Sequence, residues 1–251
     1  MPLTARASEP VGPRVEAALA ALERLGTAKD RENLTRFGIA APKAFGVSMA
    51  NIQRVAKGIG RSHEIAGALW TTGWYEARLL TSFVDDPALV THTQMDRWCR
   101  DFDNWGVCDT LCFNLFDRTP HAWGRVSRWS SRRDEFVKRA AFALLWGLTV
   151  HDKTAGDQPF VESLALVEAA AEDDRHFVKK AVNMALRAIG KRNPALHAAS
   201  VASARRLAAA PGAAARWVGA DALRELTSPG VLRRVAEKTP PRRPAGARAG
   251  G

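Results

Sequence analysis

Two segments of the chain repeat each other, and this repeat constrains the fold more than any other sequence feature. The segments "DEFVKRAAFALLWGL" at 134–148 and "RHFVKKAVNMALRAIG" at 175–190 share a Phe-Val-Lys-basic-Ala run, in which Arg139 lies 41 residues before its counterpart Lys180. An interval of about 40 to 47 residues is typical of HEAT-like repeats, in which each unit is a helix pair. Because such units bury their apolar faces against one another, we expect a helical solenoid.

The rest of the chain has helix-breaking residues at the intervals that such a solenoid needs. Proline and glycine recur at short intervals and separate segments of helical length. Apolar residues at helical spacing predict helices at 15–25, 48–59, 87–102, 104–116, 134–150, 158–170, 175–189 and 194–209. No segment alternates with a period of two, so we predict an all-α chain. We expect a flexible N-terminus at 1–11, one repeat domain at 12–236 and a disordered basic Pro/Gly-rich tail at 237–251.

The charge of the chain indicates a polyanionic partner. Thirty-seven Lys and Arg against 26 Asp and Glu give a formal net charge of +11. Four of these positive charges lie in the tail at 238–251, so the rest of the chain is also strongly basic. The longest apolar run, at 140–150, is well short of the roughly 20 residues that span a bilayer, and the N-terminus lacks a signal-peptide core. We therefore expect a soluble cytoplasmic protein, and a monomer whose terminal helices cap the stack.

Equivalent positions of stacked repeats line one surface, and here those positions are basic. Lys138, Arg139, Lys179 and Lys180 would share that surface, and Arg187, Lys191 and Arg192 extend the basic character along the second segment. A concave basic groove of this kind suits a phosphate backbone. The alternative is that these cations lie on ordinary solvated helix faces.

A tryptophan and an aspartate lie four residues apart in "DFDNWGVCD" at 101–109. On a helix, Trp105 and Asp109 are neighbours on one face. The plain interpretation is a core tryptophan beside a capping or salt-bridged aspartate. The functional interpretation is that Asp109 faces a basic surface or a cationic ligand, since an aspartate on a buried stripe needs a partner.

Other candidate sites are weaker. Cys99, Cys108 and Cys112 are an odd count without nearby partners, which favours buried thiols over a disulfide or a metal site. The pair at 151–152 also lacks metal-binding partners, so we predict no metal and no cofactor. The other tryptophans could include residues that stack on DNA, but we assign most of them to packing between helices; these are Trp70, Trp74, Trp98, Trp123, Trp129 and Trp146.

Five ordered segments together resemble the AlkD-type DNA alkylation repair glycosylases, a family of HEAT-like repeat proteins. The resemblance runs from about residue 46 to residue 235. It is carried by "FGVSMANIQRVAKGIG" at 45–60, "FDNWGVCD" at 102–109, "FVKRAAFALL" at 136–145, "FVKKAVNMALRAIGKRNP" at 177–194 and "WVGADALREL" at 217–226. It implies a right-handed superhelical solenoid that excises positively charged N3- and N7-alkylpurines from double-stranded DNA by hydrolysis of the N-glycosidic bond.

The resemblance also implies roles for individual residues. Trp105 and Asp109 match the pair that faces the damaged nucleotide, and Arg139 matches an arginine that contacts the DNA backbone. Met184 stands where the family usually has a second aromatic residue, which favours reduced or altered activity. Two other interpretations stay open: a non-catalytic protein that binds damaged or branched DNA, and a protein-interaction scaffold.

Overall fold

A computed structural model describes residues 10–238, and all regular structure in that range is helical. Its elements are α1 (Val11–Leu25), α2 (Ala28–Arg36), α3 (Met49–Ile59), α4 (His63–Thr71), α5 (Tyr75–Val84), α6 (His92–Arg100), α7 (Trp105–Asn114), a 3₁₀ turn (Phe116–Arg118), α8 (Ala122–Ser130), α9 (Glu135–His151), α10 (Gln158–Ala170), α11 (His176–Gly190), α12 (Pro194–Ala208), α13 (Ala213–Leu226) and α14 (Pro229–Ala236). The all-α prediction is confirmed. The predicted flexible N-terminus and basic tail lie largely outside the described residues.

The predicted helices and the observed ones differ in their bounds and in their number. The helix predicted at 87–102 begins only at His92, because Thr91 is extended and its side chain caps α6 by accepting the Gln94 N–H. Sequence periodicity missed α2, α4, α5, α8, α13 and α14. Five of these six helices are only eight to ten residues long, so each shows little more than two turns of pattern.

Helix pairs stack into a solenoid. The helices α3, α5, α7, α9, α11 and α13 pack successively against one another and form an inner row, while α4, α8, α10 and α12 each pack on the helix that follows them and form an outer row. The two matched segments become the neighbours α9 and α11, and the rings of Phe136 and Phe177 lie side by side with centroids 5.3 Å apart. The stack therefore places the start of one inner helix beside the start of the next.

A continuous apolar core runs through the stack and holds most of the tryptophans. Trp98 is fully buried and stacks on Trp70 with ring centroids 4.5 Å apart. The indole N–H groups of Trp70 and Trp123 donate to Asp101 and Asp152, which cap the C-terminal ends of α6 and α9, and that of Trp129 donates to Asp96 in the middle of α6. The three cysteines are free and buried, as predicted. Within residues 10–238, no helix is long and apolar enough to cross a membrane.

Candidate nucleic-acid site

The start of α7 is tightly positioned by its neighbours. Asn104 is buried, and its side-chain oxygen accepts the Val107 N–H at 2.9 Å, which caps the helix. A Cβ on Gly106 would lie only 2.5 Å from the hydroxyl of Tyr75 on α5. A glycine at this position therefore lets α7 approach α5 closely. This close packing fixes how far the neighbouring Trp105 projects from the surface.

Trp105 is half-buried and tethered by its ring nitrogen. Its Nε1 donates to the main-chain oxygen of Phe37 at 3.0 Å, and Phe37 ends α2 with 59% of its surface exposed. The indole thus joins the start of α7 to the end of α2, through two residues that are 68 positions apart in sequence. One part of the ring packs on the core and the rest faces solvent, unlike the enclosed Trp98.

Asp109 forms a two-point ion pair with Arg139 of the next inner helix. Arg139 Nε donates to Asp109 Oδ1 at 2.9 Å, and Arg139 Nη2 donates to Oδ2 at 2.6 Å. The remaining Arg139 Nη1 donates to the main-chain oxygen of Phe177 at 2.8 Å. Arg139 is only 4% exposed, whereas the Asp109 side chain is 17% exposed. One guanidinium therefore connects α7, α9 and α11, and part of the Asp109 side chain stays exposed.

Burial and charge act in opposite directions on this pair. Burial raises the pKa of Asp109, against the opposing charge and hydrogen bonds of Arg139. For Arg139, burial alone would lower the pKa, but the Asp109 carboxylate outweighs it and raises the pKa. A carboxylate has about four lone-pair sites, so the two bonds from Arg139 leave acceptor positions for a cationic or hydrogen-bonding ligand.

Several of the predicted DNA-binding cations already have partners within the protein. Lys138 pairs with Asp173 at 2.8 Å. Arg187 and Lys191 both pair with Glu225 on α13, and the Lys191 distance is 2.6 Å.

The partners of Arg192 are main-chain oxygens. Its guanidinium donates to the oxygens of Thr149, Asp152 and Ala155, and it lies over the ring of Phe160. Arg192 therefore holds the segment that follows α9 in place.

The four cations predicted to share one surface lie in different environments. Arg139 is buried, and Lys138 is bound to Asp173. Lys179 lies over the ring of Trp217 at 5.3 Å, and Lys180 is exposed. The four therefore do not form one exposed strip, because the α9 cations face α7 and the start of α11. Contacts of these residues with phosphate, and a concave basic groove, stay predictions.

Met184 on α11 differs from Trp105 on α7 in that it has no aromatic ring. Met184 is half-buried and lies one turn beyond Lys180 on the same face of α11. It presents a thioether where the resemblance implies a ring, so Trp105 has no aromatic counterpart at this point of α11.

Two aromatic residues extend the Trp105–Asp109 face; sequence reasoning missed Phe113 and did not single out Trp146 among the other tryptophans. Phe113 lies one further turn along α7, and its ring meets Trp146 of α9 edge-on with centroids 4.4 Å apart. Trp146, one of the tryptophans for which the sequence leaves both DNA stacking and packing open, is half-buried and lines a surface cavity. The spacing 105, 109, 113 was the signal that could have identified Phe113; nothing in the sequence distinguished Trp146 from the enclosed tryptophans.

The fold and the site define an α-helical repeat protein whose inner row of helices carries an aspartate, Asp109, hydrogen-bonded at both oxygens by Arg139. The family described as DNA alkylation repair enzyme matches residues 18–226, and the chain belongs to this family. A solved structure matches with a TM-score of 0.69 at 22% identity, covering 76% of this chain and 82% of the other. It is described as "a new family of proteins related to the HEAT-like repeat DNA glycosylases with affinity for branched DNA structures".

Other comparisons add less. A designed armadillo repeat protein matches with a TM-score of 0.37 at 12% identity, covering 90% of this chain and 97% of that protein, and this likeness carries no argument. A comparison with curated protein sequences gave no match. The HEAT-like fold predicted from the 41-residue repeat is confirmed by the first structural likeness.

Proposed function

We propose that the protein is a DNA glycosylase that hydrolyses the N-glycosidic bond of positively charged N3- and N7-alkylpurines in duplex DNA. The observation that carries this proposal is the Asp109 carboxylate, which Arg139 holds at both oxygens while part of the side chain stays exposed, one turn from Trp105. Membership of a DNA alkylation repair enzyme family supports the choice of substrate. The partner is alkylated double-stranded DNA, and the site of action is the cytoplasm near the nucleoid, with the protein as a monomer.

The chemistry explains why these residue types suit the reaction. An alkylated purine with a formal positive charge is a good leaving group, so the bond breaks through a transition state with cationic character on the deoxyribose. Asp109 stabilises that charge and positions or deprotonates the attacking water. The electron-rich face of Trp105 packs against the same cationic sugar or base. A leaving group that is already cationic needs neither a metal nor an organic cofactor.

In this proposal Arg139 is a positioning residue. Its two hydrogen bonds hold the Asp109 carboxylate in one orientation before substrate arrives, so little reorganisation is needed when charge develops. In the same arrangement, the positive charge of Arg139 partly neutralises the negative charge of Asp109. We infer that selectivity comes from the lability of cationic lesions, and that neutral lesions are poor substrates.

The test is release of free 7-methylguanine and 3-methyladenine from methylated duplex DNA. We expect Asp109→Asn to keep DNA binding and to lose most base release, a fall of about 100-fold or more if one preorganised group is removed. The matched control is Asp221→Asn, which removes an aspartate that is also paired with an arginine, Arg224, but lies on α13. Equal release by the parent and Asp109→Asn would contradict the proposal.

A second candidate function is non-catalytic binding of damaged or branched DNA. It is favoured by Met184 in place of the usual aromatic residue and by the description of the structural relative, which has affinity for branched DNA. It predicts binding that weakens steeply with salt and no base release by the parent or by Met184→Trp. Release by Met184→Trp alone would show instead a glycosylase that lacks its second aromatic group.

A further inference from the structure

A cavity of about 650 Å³ lies where the C-terminal ends of α9 and α11 meet. Trp146 and Val150 of α9 form part of its lining, together with Lys153 after α9 and Lys191 after α11. A volume of this size is within the range of about 300 to 1,000 Å³ that small-molecule sites occupy. The cavity is therefore large enough for a nucleotide-sized ligand.

The lining carries a surplus of positive charge. Its cations are Lys153, Lys191, Arg192 and Lys238, and its only carboxylate is Asp157, which is bound by the side chain of Asn193 at 2.7 Å. Lys153 is exposed and makes no hydrogen bond or ion pair with any residue in the 10–238 range. Lys191 shares Glu225 with Arg187 and keeps 40% of its side chain exposed. Lys153 is therefore available to a phosphate, and Lys191 is available in part, through the exposed portion of its side chain.

Trp146 adds an aromatic wall with a free donor. Phe113 contacts the indole edge-on at an interplanar angle of 77°, and the side chain is half-buried in the cavity lining. Its Nε1–H has no acceptor among the described residues, unlike the indole N–H groups of Trp70, Trp105, Trp123 and Trp129. An indole surface beside lysines is the combination that binds a base and its phosphate in single-stranded nucleic acid.

The cavity lies about two helical turns from the Asp109 site, measured along α9. Trp146 follows Arg139 by seven residues on α9, which is about 10 Å at a rise of 1.5 Å per residue. Phe113 bridges the gap, since it follows Asp109 by one turn and contacts Trp146. At about 3.4 Å per nucleotide of one strand, the cavity lies roughly three nucleotides from the base held at Asp109.

We infer that this cavity binds an unpaired DNA nucleotide, with its base on Trp146 and its phosphates near Lys153 and Lys191. The occupant is unpaired because the bases of an intact duplex are stacked inside it and present only their edges and phosphates to a protein. The inference rests on the proposed function only in taking DNA as the ligand, and it applies equally to the branched-DNA candidate.

The experiment compares binding of the full chain to two labelled DNAs of equal length, a fully paired duplex and the same duplex with a short single-stranded flap. We expect the parent to prefer the flap DNA. Trp146→Ala should lose roughly tenfold in affinity for the flap DNA, within the range of base–aromatic stacking, and little for the duplex. Lys153→Ala should show a smaller loss and a shallower salt dependence on the flap DNA.

Two controls keep the result interpretable. Arg205→Ala removes an exposed cation from the outer helix α12 and should leave the flap preference unchanged. Trp146→Phe keeps an aromatic wall against Phe113 and should retain most of the preference, and circular dichroism reports whether each variant folds.

The outcomes separate this inference from the glycosylase proposal. No flap preference in the parent, or an equal loss on both DNAs in folded Trp146→Ala, would overturn the nucleotide site. Asp109→Asn should keep the flap preference while losing base release. A flap preference in a parent that releases no base would support this site and refute the glycosylase proposal alone.

Discussion

Replacement of Arg139 by methionine tests whether the ion pair with Asp109 holds the inner helices together. The change removes three hydrogen bonds, of which two go to a carboxylate, and it leaves Asp109 and the Phe177 carbonyl without their donor. Breaking a buried pair from one side costs about 3 to 5 kcal/mol. Because 17% of the Asp109 side chain is exposed and water can reach the orphaned carboxylate, we expect the lower end, about 3 kcal/mol.

The neighbouring residue provides the control. Lys138→Met also removes a cation from α9, but Asp173 keeps two hydrogen bonds from Arg175, so the loss should stay within about 1 kcal/mol. Equilibrium unfolding in urea, followed by circular dichroism, measures both. With a slope of about 2 kcal/mol per molar, the midpoint of Arg139→Met should fall by about 1.5 M. Equal midpoints for the two variants would refute the assignment of Arg139 as a buried structural partner of Asp109.

Three further predictions concern the site. Base release should fall as the pH drops through a value above the ordinary pKa of aspartate, because burial raises the pKa of Asp109 and the reaction needs its ionised form. A pH profile of the release rate, corrected for enzyme-free depurination, checks this. A rate that does not change down to pH 4 would contradict it. Gly106→Ala should destabilise the protein by about 1 to 3 kcal/mol in urea unfolding, since its Cβ would lie 2.5 Å from the Tyr75 hydroxyl, whereas Gly124→Ala, with open space at its Cβ, should not. Met184→Trp should increase release of 3-methyladenine, and a decrease would show that α11 has no room for the ring.

The helical repeat was readable from the sequence because its signals are local. Helix periodicity and Pro/Gly punctuation act within one or two turns, so the bounds of α10 at 158–170 were predicted to the residue. Short helices such as α2 and α5, of nine and ten residues, show little more than two turns of pattern and were missed. The interval between "FVKRA" and "FVKKA" predicted that the two segments are equivalent helices of neighbouring repeats, without any knowledge of their packing.

The candidate site was readable in part. The four-residue spacing placed Trp105 and Asp109 on one face of α7, and the resemblance identified them as a functional pair. The same sequence could not show that Arg139 is buried against Asp109, because that contact joins residues 30 positions apart through the register of α7 on α9. It also could not show Phe37 as the acceptor for Trp105 across 68 residues.

The distribution of free charge was decided by tertiary structure alone. Composition counts the cations of the chain but not their neighbours, and Coulomb interactions depend on distances of a few ångströms. Packing brings Asp173 to Lys138 and Glu225 to Arg187 and Lys191, while Lys153 keeps its charge unpaired within the described range. The sequence by itself thus determined eight of the fourteen helices in the described range, their repeat and the Trp105–Asp109 face, because these follow from short-range periodicity. Which cations stay available to DNA, and the cavity beside Trp146, follow from how helices some 30 to 40 residues apart meet.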